Sequence, residues 1–438
     1  MKSSKFLMTA CAILGFSVAC AQERSLTVDE SIALGLEHSK SLHASTMRSQ
    51  YADAKSSEVS ASLYPTLKVQ AGYQRLSSIP TFSIYIPPTL VSFPVVLNNY
   101  TSRATIQQPL FTGWKLQAAA DNAAYSANAA HSDFENDRAA LVYDIRAAYW
   151  NVYKAKEVRR LADENVLQIK SHLEDIENML KQGSATMNEV LKVRVQLSNA
   201  TILQSDAKNN VLIATIAFNS VIGIPLQTEV GIASPLTPTS SVPAKLGDLV
   251  DRAMTQRSDV QGMEWRVKAA EAGVTAAQSG WLPQLYLTGD YYYDRPNPRI
   301  FPAKDEYKDS WDVGVSLQFD VWDNLTTVHQ TSEARSQYEE AKDGLGSLRD
   351  EITLDVTQSY LNVQQSSERI QLAKLTVEQA EENLRVTKEK FTAGLTTNSE
   401  LLDAEEAALQ SKIQQTQALV DFELAQAKLE QTIGELHP

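Results

Sequence analysis

The 438-residue sequence repeats itself at a constant offset of 211 residues, and this duplication limits the fold more than any other feature. The segment Tyr149 to Asn151 aligns with Tyr360 to Asn362. Further anchors at the same offset are Gly183 with Gly394, Thr186 with Thr397, Glu189 with Glu400, Leu191 with Leu402, and Ile222-Gly223 with Ile433-Gly434. Several separate anchors at one offset are improbable by chance, so the sequence predicts two tandem structural repeats.

Each repeat contains one long stretch without proline, at about 113–182 and about 324–393. Their apolar residues recur with heptad-like spacing, which predicts α-helices that pack side by side. About 70 residues at 1.5 Å per residue give each helix a length on the order of 100 Å. Shorter helices are predicted over 26–63, 187–222, 246–281 and 398–433, and two of them end to end match one long helix. A dimeric coiled coil is the alternative that this spacing leaves open.

Four segments alternate apolar and polar residues, which indicates β-strands with two different faces. In 311–319, Trp311, Val313 and Val315 fall on one face. The alternation fits a half-buried soluble sheet as well as a barrel with lipid outside and water inside. Four strands cannot close a barrel, because small barrels need about eight, so the membrane interpretation requires several chains to share one barrel. The loops 78–98 and 295–309 would then lie outside the cell.

The first residues have the pattern of a secretory signal peptide. Lys2 and Lys5 precede an apolar run that is shorter than the roughly 20 residues of a membrane span, and Ala19-Cys20-Ala21 forms a cleavage pattern. In an alternative interpretation Cys20 is a lipid anchor, although Ser17 stands where leucine is expected. The predicted organisation is a signal peptide at 1–21, a first repeat at 22–234 (strands about 66–77 and 99–111, long helix about 113–182) and a second repeat at 235–438 (strands about 284–294 and 310–322, long helix about 324–393).

No pattern of catalytic or cofactor-binding residues is present in the sequence. Cys11 and Cys20 are the only cysteines, and both lie in or beside the signal peptide, so the mature chain has no internal disulfide and no thiolate metal site. The six histidines are scattered without metal-ligand spacing. We therefore predict no enzyme activity, no cofactor and no metal. The net charge of −13 disfavours nucleic acid as a partner.

In its ordered set of features the chain resembles the TolC-type outer-membrane efflux protein family. The residues that carry the resemblance are the duplication itself, Pro65 to Leu67 and Pro283 to Leu285 between helix and strand, Pro109 to Gly113 between strand and long helix, and the tip turns Gly183-Ser184-Ala185-Thr186 and Gly394-Leu395-Thr396-Thr397. The resemblance implies a mixed α and β fold, in which a trimeric, 12-stranded transmembrane β-barrel with four strands per chain continues into a 12-helix periplasmic α-barrel.

The resemblance also implies a homotrimer in outer-membrane lipid, with the two tip turns contacting a periplasmic adaptor protein and, through it, an inner-membrane pump. Alignment by the glycines places acidic constriction positions on Glu400 and Asp403, with Glu189 as the counterpart in the first repeat. A solvated helix face is the alternative for these carboxylates. Phe391 and Thr396 stand where the family has a hydrogen-bonding tyrosine and an arginine, so the closed state must rest on other contacts.

The predicted function is a passive export conduit for small molecules or proteins. One alternative is a periplasmic coiled-coil structural or adaptor protein, which would not need two strand pairs embedded between helices. A secreted enzyme is a third possibility, but no nucleophile elbow, phosphate loop or metal-ligand spacing supports it.

Overall fold

The computed structural model describes residues 24–93, 95–234, 236 and 245–436. The predicted signal peptide at 1–21 and the alternative lipid anchor at Cys20 lie outside these residues. The chain has a mixed α and β fold, as predicted. Its elements in chain order are β1 Arg24–Leu26, α1 Val28–His38, α2 Lys40–Ala61, β2 Thr66–Arg75, β3 Phe82–Ile86, β4 Thr89–Phe93, β5 Asn98–Phe111, α3 Lys115–Lys181, α4 Met187–Ile222, β6 Val230–Ile232, α5 Leu246–Gln256, α6 Ser258–Gln278, β7 Gln284–Asp294, β8 Lys308–Gln318, α7 Thr326–Thr392 and α8 Asn398–Thr432.

Two long helices, α3 and α7, contain 67 residues each and run the length of the helical part. The shorter helices α2 and α4 lie antiparallel to α3, one after the other. Along α2, Ser45 bonds to Asp137 and the later Ser49 contacts the earlier His131. Along α4, Arg194 pairs with Glu177 and the later Gln204 bonds to the earlier Asp163. Helices α6 and α8 lie beside α7 in the same way, and both also contact α3. Within the described part of the chain, no helix combines the length and the apolarity needed to cross a membrane.

Two of the predicted shorter helices are each broken in two, which corrects the continuous helices expected over 26–63 and 246–281. Ser39 separates α1 from α2, and Arg257 separates α5 from α6; both residues have an extended backbone. The side chain of Ser39 accepts a bond of 3.4 Å from the amide of Leu42 and so caps α2. Neither break contains glycine or proline, which is why the sequence pattern did not reveal it.

The duplication is also visible in the backbone conformation. Every described residue with a positive φ has a counterpart 211 positions away: Gly113 with Asn324, Trp114 with Leu325, Gly183 with Gly394, and Gly223 with Gly434. The first two pairs turn the chain from a strand into a long helix. The third pair forms the two tip turns, and the fourth follows α4 and α8. The turns therefore keep their shape even where the side chains differ.

The four long strands form one antiparallel sheet in the order β2-β5-β7-β8. The register is the same in both repeats, because Thr66 pairs with Gln107 in the first hairpin and the equivalent Gln284 pairs with Gln318 in the second. Strands β2 and β8 lie at the two edges and have no further partner within the described chain. The sheet is therefore open on both sides.

One face of this sheet is apolar and exposed, and the other is polar. The apolar face carries Leu67, Val69, Val313, Val315 and Leu317, each 63 to 74% exposed. The polar face carries Arg103, Thr105, Asp290 and Asp312, which the register brings together across β5, β7 and β8. An extra hairpin of β3 and β4, which the sequence analysis did not predict, extends the loop between β2 and β5.

At the end of the first repeat, a buried tyrosine ties the long helix to the neighbouring chain segments. Tyr149 of α3 is fully buried, and its hydroxyl donates to the carbonyl oxygen of Leu26 at 3.0 Å. The same hydroxyl accepts from the amide of Ser234 at 2.9 Å. Here β1 and β6 pair in parallel, a small sheet that the sequence pattern did not indicate.

Candidate constriction at the helix tips

The first tip turn joins α3 to α4 through a left-handed glycine. Gly183 has a φ of 77°, and its amide donates to the carbonyl of Leu180 at 3.0 Å, while the amide of Ser184 donates to Met179 at 3.0 Å. These bonds satisfy the last carbonyls of α3, as a glycine at this position commonly does. A Cβ atom at Gly183 would meet no atom within 4 Å, so the backbone conformation alone requires glycine here.

The second tip turn has the same construction between α7 and α8. Gly394 has a φ of 71°, its amide donates to Phe391 at 3.0 Å, and the amide of Leu395 donates to Lys390 at 2.8 Å. Leu395 is 77% exposed, which leaves a large apolar side chain at the end of the molecule. The tip residues Ser184, Thr186 and Thr397 are also exposed, and Ala185 and Thr396 are half-buried.

A threonine caps the helix that leaves each turn. Thr186 caps α4, and its hydroxyl accepts from the amide of Glu189 at 3.3 Å. The carboxylate of Glu189 in return accepts from the amide of Thr186 at 2.6 Å, which completes a capping box. The Glu189 carboxylate is thus engaged by its own helix end.

The corresponding carboxylate in the second repeat is held differently. Thr397 caps α8 by accepting from the amide of Glu400 at 3.3 Å, while the Glu400 carboxylate accepts from the hydroxyl of Thr396. Glu400 and Asp403 are exposed and lie on the same side of the first two turns of α8, because residues three apart are neighbours on a helix. The structure thus brings these two predicted residues together at the tip end.

Polar contacts join the first three turns of α4 and α8. Lys192 Nζ donates to Ser399 Oγ at 3.0 Å, and Gln196 Nε2 donates to Glu406 Oε2 at 3.0 Å. The amide of the Asn398 side chain donates to the Glu189 carbonyl at 3.4 Å. These contacts place Glu189 close to the start of α8. An open groove between the two helices is lined by Asn188, Leu191, Lys192, Ser399, Leu402 and Asp403.

A second connection between the repeats is buried and was not predicted from the sequence. Glu405 on α8 is only 7% exposed and lies with Oε2 at 3.3 Å from Nδ1 of His172 on α3, which is 5% exposed. Gln168 Nε2 also donates to the Glu405 carboxylate, at 3.0 Å. The ring of Phe391 stands at 70° to the imidazole with 5.7 Å between the ring centres.

Phe391, at the position where a tyrosine is expected, makes apolar contacts within the chain. Phe391 makes no tyrosine-type hydrogen bond, but packs with Leu402 against the apolar cluster of α3 and α4 that contains Ile169 and Val193. Helix α8 is held to α3 by the Glu405 carboxylate, within the protomer. The only sequence signal for this contact was the position of His172 within a heptad-patterned stretch of α3.

The chain matches the family model described as "Outer membrane efflux protein" over residues 32–224 and 249–435. It is 22% identical over 323 residues to the outer membrane protein TolC of Vibrio cholerae, a match that covers 72% of each chain. It is also 22% identical over 347 residues to the alkaline protease secretion protein AprF of Pseudomonas aeruginosa, covering 76% of this chain and 69% of that protein. Among solved structures, the Campylobacter jejuni CmeC outer membrane channel shares the fold with a TM-score of 0.81 and 14% identity, over 93% of this chain and 85% of that one.

Proposed function

Because the chain belongs to the outer membrane efflux protein family, we propose that three copies form one channel whose helix tips dock to a periplasmic adaptor and, through it, to an inner-membrane pump. The protein is an outer-membrane channel of a tripartite efflux or type I secretion system. We propose that it acts as a passive conduit, with the energy and the choice of substrate supplied by the pump and with no catalytic step of its own.

The open sheet is the observation that carries this proposal. Its apolar face suits lipid and its polar face suits a water-filled lumen, but the unpaired edges of β2 and β8 are not tolerated in a membrane. A closed ring of copies satisfies both edges of every chain if β8 of each copy pairs with β2 of the next. The exposed apolar residues of α4 and α7, such as Leu212, Ile213, Leu361 and Leu372, then gain partners as well.

The register between β8 of one chain and β2 of the next can be inferred from the register between β5 and β7, which join the two repeats within one chain. There, β5 pairs with β7 so that Ala104 lies opposite Tyr291. The repeat-equivalent residues are Val315 on β8 and Tyr73 on β2, since the two hairpins share one register. Val315 of one protomer should therefore lie opposite Tyr73 of the next.

Disulfide cross-linking tests this assembly. Chains carrying Tyr73→Cys and Val315→Cys should form covalent trimers in the outer membrane under oxidising conditions, because directly opposed strand residues lie within disulfide reach. In the control, Val69→Cys with Val315→Cys, the cysteines are four residues out of register on the same face and too far apart. Monomers in both variants would contradict the proposed trimer, and equal cross-linking in both would contradict the proposed register.

We propose further that Glu400 and Asp403 form the constriction at the periplasmic end, with Glu189 at its margin. Their exposure on one side of α8 supports this. Threefold symmetry would gather these carboxylates in a narrow ring that attracts cations. The turns 183–186 and 394–397 are proposed as the adaptor contacts, and the exposed Leu395 supplies the apolar surface that such a contact can bury.

A further inference from the structure

The loop between β7 and β8, residues 295–307, is fastened to the sheet by two arginines on opposite sides. Arg295 binds Asp305 at 2.8 Å, and its guanidinium lies over the rings of Tyr100 and Tyr307 at 5.7 Å from each centre. These tyrosines cluster with Tyr293, whose ring stacks on Tyr307 with centres 5.2 Å apart. Arg295 therefore fixes the loop on the side of the sheet's apolar face.

Arg299 fixes the same loop on the other side. It pairs with the carboxylate of Asp312, donates to the carbonyl of Trp311 at 3.3 Å, and lies over the Tyr292 ring at 4.4 Å from its centre. Asp312 lies opposite Asp290 in the register and therefore belongs to the polar face. In the proposed channel this face would line the lumen, so Arg299 would draw the loop inward across the rim.

The surface that Arg299 binds is itself rigidly held. Arg103 of β5 donates to both carboxylate oxygens of Asp290, at 2.9 and 2.8 Å, and its guanidinium also lies 5.2 Å from the Tyr292 ring centre. Such two-pronged charge-assisted bonds are among the stronger contacts of proteins. Tyr292 is thus held by Arg103 and offers its ring to Arg299.

Beyond Arg299 the loop becomes apolar and meets the extra hairpin of β3 and β4. Phe301 is 79% exposed, and its ring lies 5.0 Å from that of Phe93, which in turn stacks on Phe82 at 5.9 Å. The hairpin also leaves Tyr85, Ile86 and Leu90 exposed within the single chain. It follows β2, the edge strand at which the next copy joins, so neighbouring copies are the partners within reach of this apolar surface.

We propose that the 295–307 loops and the β3–β4 hairpins of three copies meet as an apolar lid over the extracellular mouth, and that Arg299 is the positioning residue that holds the lid inward. This inference rests on the proposed trimer. A ring of apolar side chains across a pore impedes water and solutes by dewetting. The Arg299 pair with Asp312 is solvent-accessible and can break and re-form, which would let the lid open for outward passage.

Access of a thiol reagent from outside the cell tests the lid without depending on the periplasmic constriction. Ser316 is exposed on the polar face of β8, four residues deeper than Asp312, so Ser316→Cys places a thiol below the lid. In whole cells a small membrane-impermeant thiosulfonate should label it, and a bulky polyethylene-glycol maleimide should label it slowly. Adding Arg299→Ala should accelerate the bulky reagent by about two- to fivefold, as expected for loss of a solvent-exposed ion pair.

Arg295→Ala is the matched control, because it removes an arginine of the same loop with the same kinds of partners but on the outer side. It should leave the labelling rate of Ser316→Cys unchanged. Asp312→Ala removes the partner of Arg299 and should accelerate the bulky reagent as well. The same acceleration in both variants would exclude a local folding defect of the Arg299 variant as its cause. Thr89→Cys, at the hairpin turn, should react with both reagents in every background.

Equal rates with and without Arg299, or equal acceleration by Arg295→Ala, would overturn the lid and leave the channel proposal intact. If neither reagent reached Ser316→Cys in any background while Thr89→Cys reacted, the polar face would not line an open lumen. That outcome would overturn the channel proposal together with the lid.

Discussion

Nδ1 of His172 lies 3.3 Å from Oε2 of Glu405, and this buried contact joins the long helix of the first repeat to the final helix of the second. The Nε2 atom of the same imidazole is buried without a hydrogen-bond partner in the described structure. Helix α8 also carries Glu400 and Asp403, so the contact fixes the helix on which the proposed constriction is built.

Removing both partners of this contact should destabilise the protein less than the sum of the two single removals. Glu405→Leu leaves the His172 imidazole buried without its carboxylate, and His172→Leu leaves the carboxylate with Gln168 alone, so each should cost about 1–3 kcal/mol. In the double variant the loss should be clearly less than the sum of the two. Thermal unfolding of the detergent-extracted protein measures this. Losses that simply add would show that the two side chains do not interact.

The face assignment of β8 predicts opposite outcomes for two adjacent substitutions. Val315 lies on the apolar face, so Val315→Arg should cost about 2–4 kcal/mol near the middle of the membrane and reduce outer-membrane assembly. Ser316 lies on the polar face that we propose lines the lumen, so Ser316→Arg should be tolerated. Heat-modifiable gel migration of the membrane fraction reports assembly. Equal defects in both variants would show that the faces are wrongly assigned.

Loss of the two exposed carboxylates on α8 should change ion passage. Glu400→Ala with Asp403→Ala should lower cation selectivity and weaken block by multivalent cations in planar-bilayer recordings, because the ring that attracts cations is removed. The control is Glu381→Ala with Glu382→Ala, further along α7. There Lys412 lies 2.7 Å from Glu381, and the bond from Arg385 lowers the pKa of Glu382. An equal effect of the control pair would assign Glu400 and Asp403 to an ordinary solvated helix surface.

Replacing Glu423, a half-buried carboxyl on α8, should stabilise the protein at neutral pH but not at acidic pH. Burial raises the pKa of Glu423 above its ordinary value of 4.5, with a further rise from the Glu430 carboxylate and opposition from Arg146. The folded protein therefore holds this proton more tightly than the unfolded chain does. The resulting cost of ionisation is absent below pH 4.5, grows as the pH rises through the raised pKa, and is complete above it.

Glu423→Gln should accordingly raise the thermal unfolding temperature at neutral pH and have no such effect well below pH 4.5. The control is a carboxyl whose pKa is shifted in the opposite direction. The pKa of Glu382 is lowered by Arg385, so Glu382→Gln should give no gain at neutral pH. A gain from Glu423→Gln that is the same at both pH values would exclude ionisation as its cause.

The regular parts of the fold were predictable because they repeat. The constant offset gave the duplication, heptad spacing gave the long helices, and the alternation around Val315 gave the faces of β8. The helix breaks at Ser39 and Arg257 contain no glycine or proline, so the sequence pattern contained no strong stop signal. Ser39 is a common helix-capping residue and caps α2 with its side chain, whereas Arg257 makes no side-chain cap.

The candidate site also has one part that the sequence predicted and one part that it did not. Glycines and caps located the two tips, since Gly183 and Gly394 are required by backbone geometry that local sequence encodes. The pairing of His172 with Glu405 joins residues 233 positions apart and depends on where α8 crosses α3. Nothing in the local pattern around either residue specifies that crossing.

The open edges of β2 and β8 have a genetic consequence. Every chain of a closed ring must pair at both of its edges. A chain with one damaged edge would therefore disrupt each ring that it joins, whereas a chain that does not fold would join none. In a cell that makes intact and damaged chains in equal amounts and mixes them at random, only a minority of rings would contain intact chains alone. Mutations at these edges should therefore be dominant, whereas mutations that prevent the chain from folding should be recessive.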